Sequence, residues 1–173
     1  MDNAKIQLLV IEAQQGSSDA FSALCQYFYP RILKFAIKLS SDEQLAHDAT
    51  QNAFLKVAKS IRRLQDPKAF KSWLYQAVRW QVIDMAKGGS KRNELQCEIG
   101  IENIAITEPC DSTSDLQEQI NKLPDIDKQV IHLFYLESMT IQEISLILTT
   151  PQGTIKSRLN RARNTLKKHL INH

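Results

Sequence analysis

The chain has 173 residues and a formal net charge of +3, and its 43% hydrophobic and 24% charged residues are typical of a globular protein rather than a disordered one. No apolar run approaches the ~20 residues that cross a bilayer, and residues 1–14 lack the pattern of a secretory signal, so we expect a cytoplasmic protein with no membrane insertion. The three cysteines form no C-x-x-C pair, and no histidine lies between or just after Cys97 and Cys110, so we expect free thiols and neither a disulfide framework, a metal site nor a cofactor.

Apolar residues at helical spacing predict three successive helices in the first third of the chain. The first covers residues 6–13 and the second residues 20–39, with Pro30 as a candidate kink. Asp42 is a good capping residue for a third helix, which extends to Ile61. Each of these helices has an apolar stripe, and we expect the stripes to face a shared core.

A fourth helix is predicted to begin at Asp66-Pro67, because Asp is a favoured cap and Pro suits the first helical position. Phe70 and Trp73 lie on its apolar side, three residues apart, and this spacing favours core packing for both rings. A Gly-Gly-Ser sequence then ends the helix. We therefore predict a helical domain over residues 1–90.

Charge is distributed in blocks along the chain. Residues 56–92 contain ten Lys or Arg and two Asp, residues 93–127 contain nine acids and one Lys, and residues 151–173 contain six Lys or Arg and no acid. A single charged run is usually a solvated surface. Two basic blocks on predicted amphipathic helices instead favour nucleic acid as a partner, because such blocks attract phosphates through counterion release.

Residues 91–115 are acidic and show little sustained periodicity, so we predict a flexible linker there. The alternating isoleucines between positions 99 and 106 leave open a short strand, or an extended stretch lying on a partner. The fold class that follows is all-α, with two small helical domains joined by an acidic flexible linker.

The predicted second domain covers residues 116–173 and is again helical. A short amphipathic piece at 116–123 precedes a helix opened by Pro124. Thr140 and Glu143 then form a capping box, in which the hydroxyl and the carboxylate each bind the other residue's backbone N–H. The helix that this box begins should extend for about nine residues.

Thr149-Thr150-Pro151 should end that helix and begin another. Thr150 is a good cap, and Pro151 suits the first position of a helix that extends to about Leu170. Two helices joined by three or four residues have the spacing of a helix-turn-helix motif.

The last helix has two contrasting faces. Its inward stripe consists of Ile155, Leu159, Ala162, Leu166 and Leu170. The other face is basic and rich in amides, as DNA recognition requires, since Arg and Lys pair with guanine or phosphate and Asn and Gln with adenine. The predicted DNA contacts are Gln152, Thr154, Lys156, Ser157, Asn160 and Arg161, with Gly153 leaving room for close backbone approach. The alternative is an exposed basic helix that caps a bundle.

Two groups of motifs resemble one known family. Residues 153–163 (GTIKSRLNRAR), together with the capping box and Leu123-Pro124-Asp125, resemble the fourth conserved region of extracytoplasmic-function sigma factors. Upstream, residues 46–56 (AHDATQNAFLK), with the sequences DAF at 19–21 and FKSWL at 70–74 and with Asp84, resemble that family's second region. The order and spacing agree over nearly the whole chain except the linker.

The resemblance implies a transcription initiation factor that binds core RNA polymerase and promoter DNA and catalyses no reaction, with an anti-sigma factor as a further partner. Its second domain would bind the minus-thirty-five element as duplex through the last helix. Its first domain would bind the minus-ten element and aid strand opening. The residues implied for the minus-ten contact are Arg62, Arg63, Lys68, Lys71, Arg79 and Trp80. Those implied for polymerase binding are Asp48, Gln51, Asn52, Phe54 and Leu55.

The acidic linker would then lie along the polymerase cleft, where its charge could imitate a nucleic acid strand, or it would stay solvated.

Two positions depart from the family's pattern. Trp80 follows Arg79 where the family often has Asn, so this residue either stacks on a base or packs. Thr149 occupies a turn position where a small residue such as Gly is common, and we expect a less relaxed turn.

Three rival functions remain open on sequence grounds. A separate helix-turn-helix regulator would explain the C-terminal half but gives no role to residues 48–56 or to the basic loop. A nucleic-acid enzyme is disfavoured, because the sequence has no paired carboxylates, metal-ligand cluster or Gly-rich phosphate loop. A helical protein–protein adaptor is disfavoured by the basic, acid-free face of the last helix.

Overall fold

The computed structural model describes residues 1–40, 42–87 and 114–171, and every regular element in these ranges is helical. The chain divides into two compact units, whose described parts are residues 1–87 and 114–171. The all-α prediction is confirmed for this part of the chain. Most of the predicted linker and the Gly-Gly-Ser helix end lie outside the described residues. In the ranges given, no helix combines the length and apolar content needed to cross a bilayer.

In its described residues, the first unit contains four α-helices and two short 3-10 turns. They are α1 (Asn3–Gln14), α2 (Ser18–Ser40), α3 (Glu43–Ser60), the turns Ile61–Arg63 and Pro67–Ala69, and α4 (Phe70–Lys87). Helix α2 continues through Pro30, although proline removes one backbone hydrogen bond there. It is the central helix of this unit and contacts α1, α3 and α4.

Two predicted aspartate caps are present in the first unit. The Asp42 carboxylate accepts the backbone N–H of Leu45 at 3.1 Å, as predicted for α3. The Asp66 carboxylate accepts the N–H of Lys68 at 2.9 Å. The cap predicted at Asp66 is therefore present, but it begins a 3-10 turn and α4 follows three residues later than expected.

Aromatic rings fill the core of the first unit. The Phe28 and Phe70 ring centroids are 5.6 Å apart, and those of Phe35 and Tyr75 are 5.2 Å apart, with all four side chains buried. The core role favoured for Phe70 is confirmed. Burial of each such ring stabilises the fold by ~1.5–3 kcal/mol relative to an exposed position.

Between residues 114 and 171, the second unit contains four α-helices and a π-helical turn. They are α5 (Ser114–Asn121), α6 (Asp125–Ile131), the π turn His132–Leu136, α7 (Ile141–Leu148) and α8 (Gln152–Ile171). Helix α5 begins at Ser114 and therefore includes the last two residues of the predicted linker. The capping box is confirmed, since Thr140 Oγ1 accepts the Glu143 N–H at 3.2 Å and Glu143 Oε2 accepts the Thr140 N–H at 2.8 Å.

The turn between α7 and α8 uses a left-handed threonine. Thr149 has φ 53° and ψ 45°, a conformation that costs a non-glycine residue ~1–2 kcal/mol. The Ser145 side chain stabilises the turn by donating to the Thr150 carbonyl at 2.7 Å. The Pro151 carbonyl accepts the N–H of Ile155 at 3.0 Å, so Pro151 precedes the first helical residue instead of occupying it as predicted. The Thr150 hydroxyl donates back to the Leu148 carbonyl at 3.1 Å.

Candidate nucleic-acid interface

Helix α8 buries its apolar stripe and exposes its polar one. Ile155, Leu159 and Ala162 are buried against the rest of the second unit, where α8 contacts α5, α6 and α7. Five of the six predicted DNA-contact residues are exposed and one, Thr154, is half-buried; the exposed ones are Gln152, Lys156, Ser157, Asn160 and Arg161. No atom outside its immediate chain neighbourhood lies within 4 Å of a Cβ built at Gly153, so the protein itself does not crowd this position. The inward orientation predicted for Ile155, Leu159 and Ala162 is confirmed, whereas Leu166 is half-buried and the Leu170 side chain lies outside the described residues.

Arg161 differs from the other exposed residues because its guanidinium is bound to an acid of its own domain. Its Nε lies 2.9 Å from Asp127 Oδ2, and its Nη2 lies 2.9 Å from Oδ1 and 2.6 Å from Oδ2. A second arginine, Arg158, places Nη1 3.2 Å from Asp127 Oδ1. The carboxylate that both arginines contact is 1% exposed, whereas the Arg161 side chain is 58% exposed.

A third arginine of α8 contacts the π turn. Arg163 Nε donates to the Tyr135 hydroxyl, and its guanidinium carbon lies 5.3 Å from the Phe134 ring centroid and 5.5 Å from that of Tyr135. Such cation–aromatic contacts contribute ~0.5–1 kcal/mol at exposed sites. Three of the six basic residues of α8 therefore make contacts inside the second unit.

Asp127, which binds two arginines of α8, was not identified from the sequence. Acidic residues are common in the first turn of a helix, so the sequence alone did not distinguish Asp127 from Asp125. In the structure Asp125 is exposed and pairs with Lys128 at 3.2 Å. A helical wheel contains the missing signal. Asp127 lies three or four residues from Leu123, Val130 and Ile131, which are all buried, and an acid on that face requires a cationic partner.

The residues implied for the minus-ten contact all lie at least partly at the surface of the first unit. Arg62, Arg63 and Lys68 are exposed, Lys71 and Arg79 are half-buried, and Trp80 is 52% exposed. Burial lowers the pKa of the Arg79 guanidinium from its ordinary value. Trp80 does not enter the core, and its exposed ring is available to a partner.

The loop between α3 and α4 is anchored on α1. The Gln14 side-chain amide donates to the Ile61 carbonyl at 3.0 Å and to the Leu64 carbonyl at 2.7 Å. A shallow cleft beside this loop has Phe21, Lys59 and Arg62 in its lining. The Gln14 hydrogen bonds hold the basic loop beside the cleft that Phe21 lines. Positive charge beside an aromatic ring suits single-stranded nucleic acid.

The residues implied for polymerase binding lie on α3 but differ in exposure. Gln51 is exposed, whereas Asp48, Asn52 and Leu55 are half-buried; Asp48 accepts a hydrogen bond from Gln44 at 3.2 Å. Phe54 is buried, with its ring centroid 5.9 Å from that of Tyr29, so it supports this surface from beneath and does not present its ring to a partner.

Tyr29 also contacts a half-buried side chain of α3, since its hydroxyl lies 3.4 Å from His47 Nδ1. Burial raises the pKa of Tyr29, and the Gln51 side chain partly opposes that rise. The Asn52 amide lies 3.7 Å from Met85 Sδ on α4. These contacts fix the side chains of the surface.

The described residues contain no cluster of three or more His, Cys, Asp or Glu side chains that could hold a metal ion. Cys25 is a free thiol, and burial raises its pKa to about 11, so it stays protonated at neutral pH. The described surfaces offer cations, amides and an exposed aromatic ring to a binding partner.

Comparison with known proteins identifies both units. Family models of sigma-70 region 2 and of sigma-70 region 4 match residues 24–92 and 113–166, together more than two thirds of the chain. The ECF RNA polymerase sigma factor SigW of Bacillus subtilis (strain 168) is 27% identical over 180 residues, which cover 95% of this chain and 96% of SigW.

Two solved structures have a similar fold. CnrH in complex with the cytosolic domain of CnrY matches with a TM-score of 0.66 at 19% identity, over 97% of this chain and 98% of that one. The sigma factor RpoE in complex with the anti-sigma factor NepR from Bartonella quintana matches with a TM-score of 0.63 at 22% identity, over 87% and 96%. The order of the two matched regions and the whole-length similarity to SigW agree with the geometry of the two units, and the chain belongs to the extracytoplasmic-function subfamily of RNA polymerase sigma factors.

Proposed function

We propose that this sigma factor binds core RNA polymerase and directs it to promoters by contacting the minus-thirty-five element with its second unit and the minus-ten element with its first. The observation that carries this proposal is the acid-free exposed face of α8 in a helix-turn-helix. Such a helix enters the major groove with its N-terminal turns. Membership of the sigma factor family supports the role in transcription initiation, and the exposed side chains of α8 are the proposed contacts with DNA.

The minus-thirty-five contacts are assigned to the first two and a half turns of α8. Gln152 and Asn160 carry amides that suit adenine, and Lys156 suits guanine or a phosphate. Ser157 donates its hydroxyl to the Thr154 carbonyl at 2.9 Å, and both residues can contact the DNA backbone from that position.

The minus-ten contacts are assigned to the basic loop and to α4. Arg62, Arg63, Lys68 and Lys71 supply positive charge for the phosphates of the opened strand. Arg79 and Trp80 add a cation and an exposed ring on α4, on which an unstacked base can lie. Together these six residues favour the melted strand over the closed duplex.

Polymerase binding is assigned to the surface of α3. Gln51, Asp48 and Asn52 provide polar contacts, and Leu55 provides an apolar one. Phe54 holds α3 against Tyr29 from below. Since core polymerase and promoter DNA are its partners, we place the protein in the cytoplasm, acting as an initiation factor without catalysis of its own.

An anti-sigma factor is assigned as a regulatory partner. RpoE of Bartonella quintana is seen in complex with the anti-sigma factor NepR, and CnrH with the cytosolic domain of CnrY. Their folds resemble that of this chain over most of its length. Affinity purification of the tagged full chain from its native bacterium should recover such a protein, and recovery of polymerase alone would contradict the assignment.

Run-off transcription with purified core polymerase tests the main proposal. A genomic fragment library should give discrete transcripts that require this chain and disappear when it is omitted. A chain that binds a specific duplex but never associates with core polymerase would be a separate regulator, and the proposal would be wrong.

The variant Gln51→Ala should reduce association with core polymerase. The control is Gln15→Ala, because Gln15 is an exposed glutamine at the end of α1.

A further inference from the structure

The Asp127 carboxylate lies where α6 and α8 meet. It is 1% exposed, and its two oxygens accept three contacts from Arg161, of 2.6, 2.9 and 2.9 Å, and one of 3.2 Å from Arg158. The partners are 34 and 31 residues away in the chain. The ion pairs therefore connect two helices and set the position of α8 on α6.

This arrangement is strong because the acceptor is buried and the donor is a planar fork. Hydrogen bonds between two ionised groups are about twice as strong as neutral ones, and the bidentate geometry fixes direction as well as distance. A guanidinium that left Asp127 for a base would leave a buried carboxylate with Arg158 as its remaining arginine. Removal of one partner from a buried ion pair is costly, because the other charge cannot regain water.

We infer that Arg161 is a positioning residue, bound by Asp127, and that base discrimination in the upstream element is left to Gln152, Lys156 and Asn160. The inference rests on the proposed function and deepens it, since it separates the residues that read DNA from those that hold the reading helix. It replaces the base contact that the sequence suggested for Arg161. Arg163, bound to Tyr135, has the same positioning role on the π turn.

Two classes of effect follow for variants of α8. Loss of a base-reading side chain relaxes preference at one base pair, by about tenfold for a good contact. Loss of a positioning side chain moves every reading residue together, so affinity falls by a similar factor for all duplexes and the order of preference is kept. The two classes can be separated in the fully folded protein.

The test uses the full chain with core polymerase. Wild-type holoenzyme first selects a duplex from a pool with a random upstream element, and single base-pair variants of that duplex form the panel. Arg161→Ala should lower affinity for every member by the same factor, about threefold to tenfold. Asn160→Ala and Lys156→Ala are the matched controls, and each should flatten the preference at one or two positions.

A rescue variant distinguishes positioning from reading. Asp127→Leu with Arg161→Met replaces the ion pair by apolar side chains, which can restore packing at such a site. The double variant should regain most of the affinity lost by Arg161→Ala and keep the wild-type base preference. Should it fail to fold, the panel measured on Arg161→Ala alone still decides, since that side chain is 58% exposed.

The outcomes also separate this inference from the proposed function. If Arg161→Ala changes the preference at a single base pair, Arg161 reads DNA and the inference is wrong, while the proposed function stands. If wild-type holoenzyme selects no sequence at all, the proposed function fails. Equal loss of affinity across the panel, with affinity regained and preference unchanged in the rescue variant, supports the inference.

Discussion

Asp125 and Asp127 stand two positions apart on α6, yet only one of them is buried. The Asp125 side chain is 84% exposed and pairs with Lys128, whereas the Asp127 side chain is 1% exposed and carries two arginines. Exposed ion pairs contribute little, because water screens both charges and both side chains lose freedom. The two acids therefore offer a matched comparison within one helical turn.

Asp127→Ala should lower the free energy of unfolding of the second unit by ~1–3 kcal/mol, because it removes the charged acceptor of several buried hydrogen bonds. Asp125→Ala should change it by less than ~0.5 kcal/mol. Urea unfolding of both variants, followed by circular dichroism, measures the difference. Equal effects at the two positions would show that the buried ion pairs do not hold α6 and α8 together.

Trp80 is an aromatic residue that the fold leaves at the surface. Trp80→Ala should leave the free energy of unfolding unchanged, because the side chain is 52% exposed, but weaken binding of the opened strand by ~1–3 kcal/mol. Run-off transcription should then fall on duplex promoters and recover on a template already opened at the minus-ten element. Trp73→Ala is the control, because the Trp73 ring centroid lies 6.3 Å from that of buried Phe70 and loss of the ring should reduce stability.

An unchanged yield from duplex templates with Trp80→Ala would remove this residue from the opening step. A parallel loss of stability would instead show that the indole packs against the protein. The two measurements together decide between the stacking and packing roles that the sequence left open for Trp80.

At the scale of elements, the turn before α8 stores backbone strain at Thr149. Thr149→Gly should raise the free energy of unfolding by ~0.5–1 kcal/mol, because glycine adopts φ 53° freely and this gain exceeds its greater freedom in the unfolded chain. Thr150→Gly should destabilise, since Thr150 has no positive φ to relieve. Thermal unfolding of the pair is the measurement. Destabilisation by both substitutions would mean that the threonine side chain matters more than its backbone strain.

The short helices of the second unit depend on caps and contacts more than on propensity. Helix α7 has eight residues, too few to be stable alone, and the Thr140–Glu143 box satisfies backbone donors at its start. Helix α6 continues into a π turn that brings Phe134 and Tyr135 against Arg163. Side-chain contacts thus fix the start of α7 and the π turn before it. Helix α8 packs on the rest of the unit through its apolar stripe and its arginines.

For the whole molecule, two units that bind one promoter should act together. Once one unit is bound, the other binds at an effective concentration set by the linking segment and by polymerase. Replacing either promoter element should lower holoenzyme affinity by on the order of 10²-fold, more than a single independent contact would give. Replacing a segment of equal length between the elements is the control. Insensitivity to one element would show that its unit does not contact DNA.

The sequence by itself determined the helices, their caps and the blocks of charge. Residue spacing, the Asp42 and Thr140 caps and the basic face of α8 are local properties, because a helix brings together residues only three or four apart. These properties also carried the resemblance to the family, and with it the two-unit organisation.

Only the tertiary structure decided which polar and aromatic side chains remain available to a partner. Asp127 binds arginines 31 and 34 residues away, Phe54 lies beneath the surface of α3, and Trp80 stays outside the core. A helical wheel places Asp127 on a buried face, but which arginines it binds, and how exposed Phe54 and Trp80 are, depends on how the helices pack against one another. Contacts between distant residues separate the arginines that hold α8 from the amides and lysine that face solvent.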